Sequence, residues 1–292
     1  MRFSGIGAAL VTPFDEHLQI DFEGYRRLLS HTLTIGVDYW VIQGTTGESP
    51  TVSKEEKSKL LRFSIENNPQ QVPIVYGIGG NHTEGVLATI QQTDLSQVDA
   101  LLSANPYYNK PSQEGIYQHY LRIAEASPVP IILYNVPGRT ASNIHAETTL
   151  RLAEHPNIIA IKEASGSLPQ CMEIACHKPA GFQLLSGDDL LTTSMISFGA
   201  EGVISVMANA FKAFNDMVHQ ALEGNFEVAS QLLYKLLDIN TLMYTESNPV
   251  GLKEALNQFK VCANYVRLPL LPATEQLKQQ IEQVIVKDGL QP

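Results

Sequence analysis

Eight short apolar runs, each followed by a stretch with helical periodicity, constrain what this chain can fold into. They are Gly7–Val11, Tyr39–Ile42, Pro73–Gly77, Ala100–Ser103, Ile131–Tyr134, Ile158–Ile161, Phe182–Leu185 and Gly202–Val206. Their starts lie roughly 20–35 residues apart, the spacing that a strand plus a crossover helix requires. Nearly continuous apolar strands belong to a parallel sheet covered on both faces. Eight such units fit a closed (β/α)8 barrel of the TIM type better than an open sheet. The dinucleotide fingerprint that often marks an open sheet is also missing. Gly77-Ile78-Gly79-Gly80 follows a strand, but His82 occupies the last position of GxGxxG. The barrel is expected over residues 1–224.

From residue 225 to 292 the pattern is helical, with no convincing strand. Phe226–Leu237, Leu252–Phe259 and Glu275–Val286 carry helical periodicity, and the Leu-Pro-Leu-Leu-Pro run 268–272 interrupts it. A C-terminal helical region beside the barrel is the expectation. Helix starts are marked too. Ser53 and Glu56 have capping-box spacing, and Ser112 precedes a helix running toward Ala126.

Composition narrows the function classes. The chain has 292 residues, 44% hydrophobic, which is enough for a large core. No apolar run approaches the ~18 residues of a membrane span, and Met1–Gly5 lacks the apolar core of a signal peptide. Cys171, Cys176 and Cys262 show no CxxC spacing and are too few for a disulfide framework, so a cytoplasmic location is expected. A net charge of -10 without a basic cluster argues against nucleic acid as a partner.

In a barrel of this kind, chemistry collects at the C-terminal ends of the strands. Lys162 stands there, ending Ile158–Ile161. A lysine at that place is partly desolvated, which disfavours its charged form, and a neutral amine can attack a carbonyl to form a Schiff base. A strand-end lysine can also simply reach solvent. After the second run comes Gly44-Thr45-Thr46-Gly47-Glu48-Ser49, able to hold a carboxylate or to act as a glycine-rich turn. After the fourth come Tyr107 and Tyr108, adjacent tyrosines of the sort that serve packing or interfaces. Tyr134 ends the fifth run and could move a proton. Arg139 follows a Pro-Gly turn and could pair with a carboxylate, or be solvated. Asp188 and Asp189 suit either a metal or a helix cap. No histidine has zinc-ligand spacing and no HExxH occurs, so metal-free chemistry is favoured.

The strings GTTGES (44–49), PYYNKPSQEG (106–115), YNVPGRT (134–140), IKEASG (161–166), LLSGDD (184–189) and GVISVMAN (202–209) resemble the dihydrodipicolinate synthase family. These are pyruvate-dependent lyases related to class I aldolases and N-acetylneuraminate lyases. The similarity runs from about residue 3 through Asn248-Pro249 and Arg267-Leu268-Pro269. It implies a (β/α)8 barrel, a homotetramer built as a dimer of dimers, and no cofactor. It further implies condensation of pyruvate with L-aspartate 4-semialdehyde, the 4-hydroxy-tetrahydrodipicolinate synthase reaction that opens diaminopimelate and lysine biosynthesis. By the same resemblance Lys162 is the Schiff-base lysine, and Thr46, Tyr134 and Tyr108 form a proton relay, with Tyr108 reaching a neighbouring subunit. Thr45 and Thr46 hold the pyruvate carboxylate, Arg139 binds the semialdehyde carboxylate, and Gly187 and Ile204 line the site through their backbones.

Relatives with the same lysine and tyrosine cleave sialic acid or 2-keto-3-deoxy sugar acids. The Thr45-Thr46 pair and Arg139 favour the synthase over that alternative, and a catalytically dead binding barrel is a third reading. Lysine-inhibited members bind their effector near the positions matching Ser49, Asn81, Glu84 and Tyr107. Histidines often found there are replaced here by Lys54 and Lys57, whose charges would repel a cationic amino acid. Weak or absent inhibition by lysine is therefore expected.

Overall fold

The computed structural model describes residues 3–290. Its strands, β1 Gly5–Ala9, β2 Tyr39–Ile42, β3 Ile74–Gly77, β4 Ala100–Ala104, β5 Ile131–Asn135, β6 Ile158–Glu163, β7 Gln183–Ser186 and β8 Gly202–Ser205, close into a barrel in sequence order. The neighbouring strands run parallel. Each is buried along most or all of its length, as the continuous apolar runs required.

The helices are α1 Phe22–Thr34, α2 Lys54–Glu66, α3 Thr83–Gln92, α4 Gln113–Ala126, α5 Pro137–Thr140, α6 Ala146–Leu152, α7 Leu168–His177, α8 Thr192–Ser197 and α9 Lys212–Leu222. Beyond them, α10 Phe226–Thr245, α11 Val250–Gln258 and α12 Glu275–Lys287 make up the C-terminal helical region. The chain divides into two compact units. One comprises Pro73–Ile204, and the other joins Gly5–Val72 to the chain from Ser205 onward. No helix among the described residues is long and apolar enough to cross a membrane.

The sequence signals locate the elements for physical reasons. Ser53 caps α2 by accepting from the Glu56 N–H, while the Glu56 carboxylate accepts from the Ser53 N–H, so both halves of the capping box are present. Ser112 accepts from the Gly115 N–H at the head of α4. Asp188 Oδ1 accepts from the N–H groups of Leu190 and Leu191, which accounts for that carboxylate as a turn and helix-start residue.

β1 is displaced from its expected position. It runs Gly5–Ala9 and not Gly7–Val11. The Asn209 side chain explains where it stops: Oδ1 accepts from the Val11 N–H at 3.2 Å, and Nδ2 donates to the Ala9 carbonyl at 2.9 Å. A side-chain amide thus takes the place of a neighbouring strand.

Candidate active site

Lys162 sits on β6 and is only 6% exposed. Its register partner on β5 is Tyr134, so the two side chains leave neighbouring strands toward the same face. The amine lies 4.4 Å from the centroid of the Tyr134 ring. Among the described residues no carboxylate lies within ion-pair distance of Lys162 Nζ. The amine is therefore enclosed against an aromatic face without a fixed counter-charge. A strand-end amine outside any ion pair can be offered to a carbonyl carbon as a nucleophile.

Gly187, just past β7, makes room for that side chain. A Cβ there would stand 2.9 Å from Lys162 Cε, 3.0 Å from Lys162 Cγ and 2.7 Å from Ala164 Cβ. Real side chains do not tolerate such approaches, so glycine is needed for Lys162 to lie where it does.

Glu163 points to the opposite face of β6, because side chains alternate along a strand. It is 1% exposed. Its carboxylate accepts from Asn135 Nδ2 at 3.0 and 3.1 Å, from Gln170 Nε2 at 2.8 Å and from the Ser165 N–H at 2.7 Å. Asn135 is also its register partner, so this network clamps the ends of β5 and β6 beside the Tyr134–Lys162 pair. Nearby, burial reinforced by the Glu163 charge pushes the Cys171 thiol up to about 12, leaving it inert as a nucleophile at neutral pH.

Of the other residues in this unit, Ile204 is buried near the end of β8, and Arg139 is exposed on α5 with its guanidinium outside any ion pair seen among the described residues. Tyr108 is 87% exposed on the loop after β4, at φ +74°. Asn81 Nδ2 donates to the Tyr107 carbonyl at 3.2 Å, which brings these two expected effector residues together. Glu84 is already paired with Arg122 at 2.9 Å.

In the other unit, Thr45 and Thr46 form a single 3-10 turn directly after β2, and Ser49 begins the next one. Thr46 is buried and Thr45 partly so. Glu48 links the two turns in the left-handed region, at φ +53°, a conformation that costs a non-glycine residue on the order of 1–2 kcal/mol. Its carboxylate shows what holds it. Oε1 accepts from Lys253 Nζ at 2.5 Å, and Oε2 from the Arg267 N–H at 3.0 Å.

Lys253 is fully buried, donates also to the Tyr265 carbonyl at 2.7 Å, and lies over the Phe14 ring. Burial lowers its pKa, against the Glu48 charge that raises it. Arg267 in turn pairs with Glu56 at 2.6 Å. Lys57 is half-buried, and burial lowers its pKa, whereas Lys54 is exposed.

Sequence reasoning named Thr46 but missed what holds it. Asn248 Nδ2 donates to Thr46 Oγ1 at 3.0 Å, across 202 residues of chain. The Glu48–Lys253 pair was missed for the same reason, and no local pattern signals either one.

The chain is similar to known proteins over nearly its whole length. The profile described as the Dihydrodipicolinate synthetase family matches residues 2–288. The chain is 50% identical over 286 residues to the 4-hydroxy-tetrahydrodipicolinate synthase of Cytophaga hutchinsonii, covering 98% of this chain and 96% of that one. It is similar to the crystal structure of dihydrodipicolinate synthase from Thermotoga maritima, with TM-score 0.95, 36% identity and 99% of each chain covered. It is also similar to that enzyme from Cyanidioschyzon merolae with lysine bound, with TM-score 0.93, 36% identity and 98% of each chain covered.

Proposed function

Because the chain belongs to the dihydrodipicolinate synthetase family, we propose that Lys162 is the Schiff-base nucleophile of a lyase that condenses pyruvate with L-aspartate 4-semialdehyde. This 4-hydroxy-tetrahydrodipicolinate synthase reaction opens diaminopimelate and lysine biosynthesis. The observation that carries the reading is the enclosed Lys162 amine, register-paired with Tyr134 and given room by Gly187.

Neutral Lys162 attacks the pyruvate ketone, and loss of water gives a protonated imine. That cation withdraws electrons, so a methyl proton leaves and an enamine forms. The enamine carbon attacks the aldehyde of the second substrate. The substrate amine then displaces Lys162 and closes the ring. Protons move at each step, and Tyr134, Thr46 and Tyr108 are the groups proposed to relay them. Thr45 and Thr46 hold the pyruvate carboxylate, Arg139 the semialdehyde carboxylate, and the backbones of Gly187 and Ile204 line the pocket. Tyr108 serves a neighbouring subunit of a homotetramer, and a ring 87% exposed on its own chain supports that role. A cytoplasmic location is supported by the free thiols of Cys171, Cys176 and Cys262.

For the effector site, the existing Glu84–Arg122 pair supports weak or absent inhibition by lysine, as does the positive charge of Lys54.

Borohydride reduction in the presence of pyruvate tests the nucleophile. The adduct should form on Lys162 and vanish in Lys162→Ala, and an adduct on another lysine would contradict the assignment. Arg139→Ala should then weaken use of the semialdehyde by about ten- to a hundredfold while pyruvate trapping persists, as loss of a charge-assisted bidentate contact predicts. Enamine consumed by a sugar aldehyde and not by the semialdehyde would instead support a sialic acid or 2-keto-3-deoxy sugar-acid lyase.

A further inference from the structure

The Thr46 hydroxyl has one hydrogen-bond partner among the described residues, the Asn248 amide N–H at 3.0 Å. Both side chains are buried, Thr46 at 3% exposure and Asn248 at 6%. The Asn248 Oδ1 meets no partner among the described residues, so the only hydrogen bond of this buried amide is the one to Thr46.

The loop backbone does not depend on that bond. Glu48 is held by Lys253 and by the Arg267 N–H, and the Gly47 carbonyl accepts from Thr12 Oγ1 at 2.7 Å. Asn248 acts on the hydroxyl itself. A hydroxyl carries one proton and two lone pairs. An amide N–H directed at a lone pair stops the rotor and leaves the proton free for another acceptor.

We propose that Asn248 is a positioning residue that fixes the Thr46 hydroxyl so that its proton stays available to the relay. This rests on the reading of Thr46 as a relay member. Asn248 reaches it from the turn between α10 and α11, so the C-terminal helical region contributes to the chemistry through one amide.

The test is a mutant cycle on kcat, with KM for pyruvate and unfolding midpoints measured in parallel. Asn248→Ala should lower kcat by about ten- to a hundredfold, the scale of misplacing a reacting group, and raise KM for pyruvate by less. The double variant with Thr46→Val should be no slower than Thr46→Val alone, since both changes disable one group. Asn248→Asp adds a pH readout. It keeps the side chain's shape, but an ionised carboxylate only accepts and draws the Thr46 proton to itself. Its kcat should fall as the carboxylate forms and recover toward low pH, where the acid can donate again. This variant carries the test should Asn248→Ala fail to fold. Additive losses in the cycle, or an Asn248→Asp variant with the native kcat–pH profile, would overturn the proposal. Unchanged kcat in Thr46→Val is a separate outcome. It removes the relay reading and this proposal with it, whatever the Asn248 variants do.

Discussion

At the scale of single residues, the site turns on small exclusions of volume. Gly187→Ala adds one methyl, placed 2.9 Å from Lys162 Cε and 2.7 Å from Ala164 Cβ. Ala164 belongs to the backbone that continues β6, so the flexible lysine stem has to yield. Overpacking of this kind costs roughly 1–3 kcal/mol of stability. Displacing the amine should slow adduct formation by about a hundredfold or less. The checks are the rate of borohydride-trappable pyruvate adduct at fixed pyruvate and the urea midpoint. A variant that traps at the native rate would show that Lys162 has no need of that space. The adjacent Glu163 is kept out of the same pocket by strand alternation and held by Asn135, Gln170 and Ser165. It serves the register of two strands while its neighbour is the proposed nucleophile.

At the scale of elements, ion pairs tie helices to the loops they support. Lys253 on α11 neutralises Glu48, and both are almost wholly buried. Lys253→Met should leave a buried carboxylate unpaired and cost about 3–5 kcal/mol. Adding Glu48→Gln to it should recover part of that loss, because the uncompensated charge is gone. Urea unfolding of the two variants measures the difference, and equal midpoints would mean that the charge itself is unimportant.

A second tie is pH-dependent. His219 on α9 bonds Asp38 at 3.1 Å, and Asp38 also accepts from the Ile6 N–H, so the pair joins that helix to the starts of β1 and β2. The bond to Asp38 raises the His219 pKa, against burial, with smaller help from Asp216 and Glu223. Since the folded value lies above the unfolded one, the stabilisation is complete below about pH 6.5 and is lost as pH rises through the folded pKa. The side chains are 37% and 43% exposed, so solvent should hold the effect below ~1 kcal/mol. His219→Gln should flatten the stability–pH curve in that window, and an unaltered slope would contradict the contact's role.

At the scale of the whole molecule, closure of the barrel in sequence order gathers strand ends that are far apart in the chain. The role proposed for Tyr108 adds the need for a second copy. With its ring almost entirely in solvent and its backbone at φ +74°, Tyr108 has little to do within its own chain. If the proposed assembly is right, a surface variant that splits the proposed dimer should lose most activity, even with every pocket residue of each chain intact. Sedimentation velocity beside steady-state assays would decide this, and a fully active monomer would refute the shared site.

The sequence by itself determined where the strands lie, because a parallel strand buried on both faces must be a short, unbroken apolar run. β2 matches its run at both ends, and β4 to β6 extend only one or two residues beyond theirs. It also determined the capping box of α2 and the place of Lys162 and Tyr134 at strand ends, since those signals are local. Tertiary structure alone decided where β1 stops, because the Asn209 amide that replaces its strand partner lies 200 residues away. It likewise decided that Asn248 holds Thr46 and that Lys253 neutralises Glu48. A polar side chain declares its partner only once folding has brought both out of water. Until then its hydrogen bonds are made with solvent, and nothing in its own stretch of chain records which group will replace it.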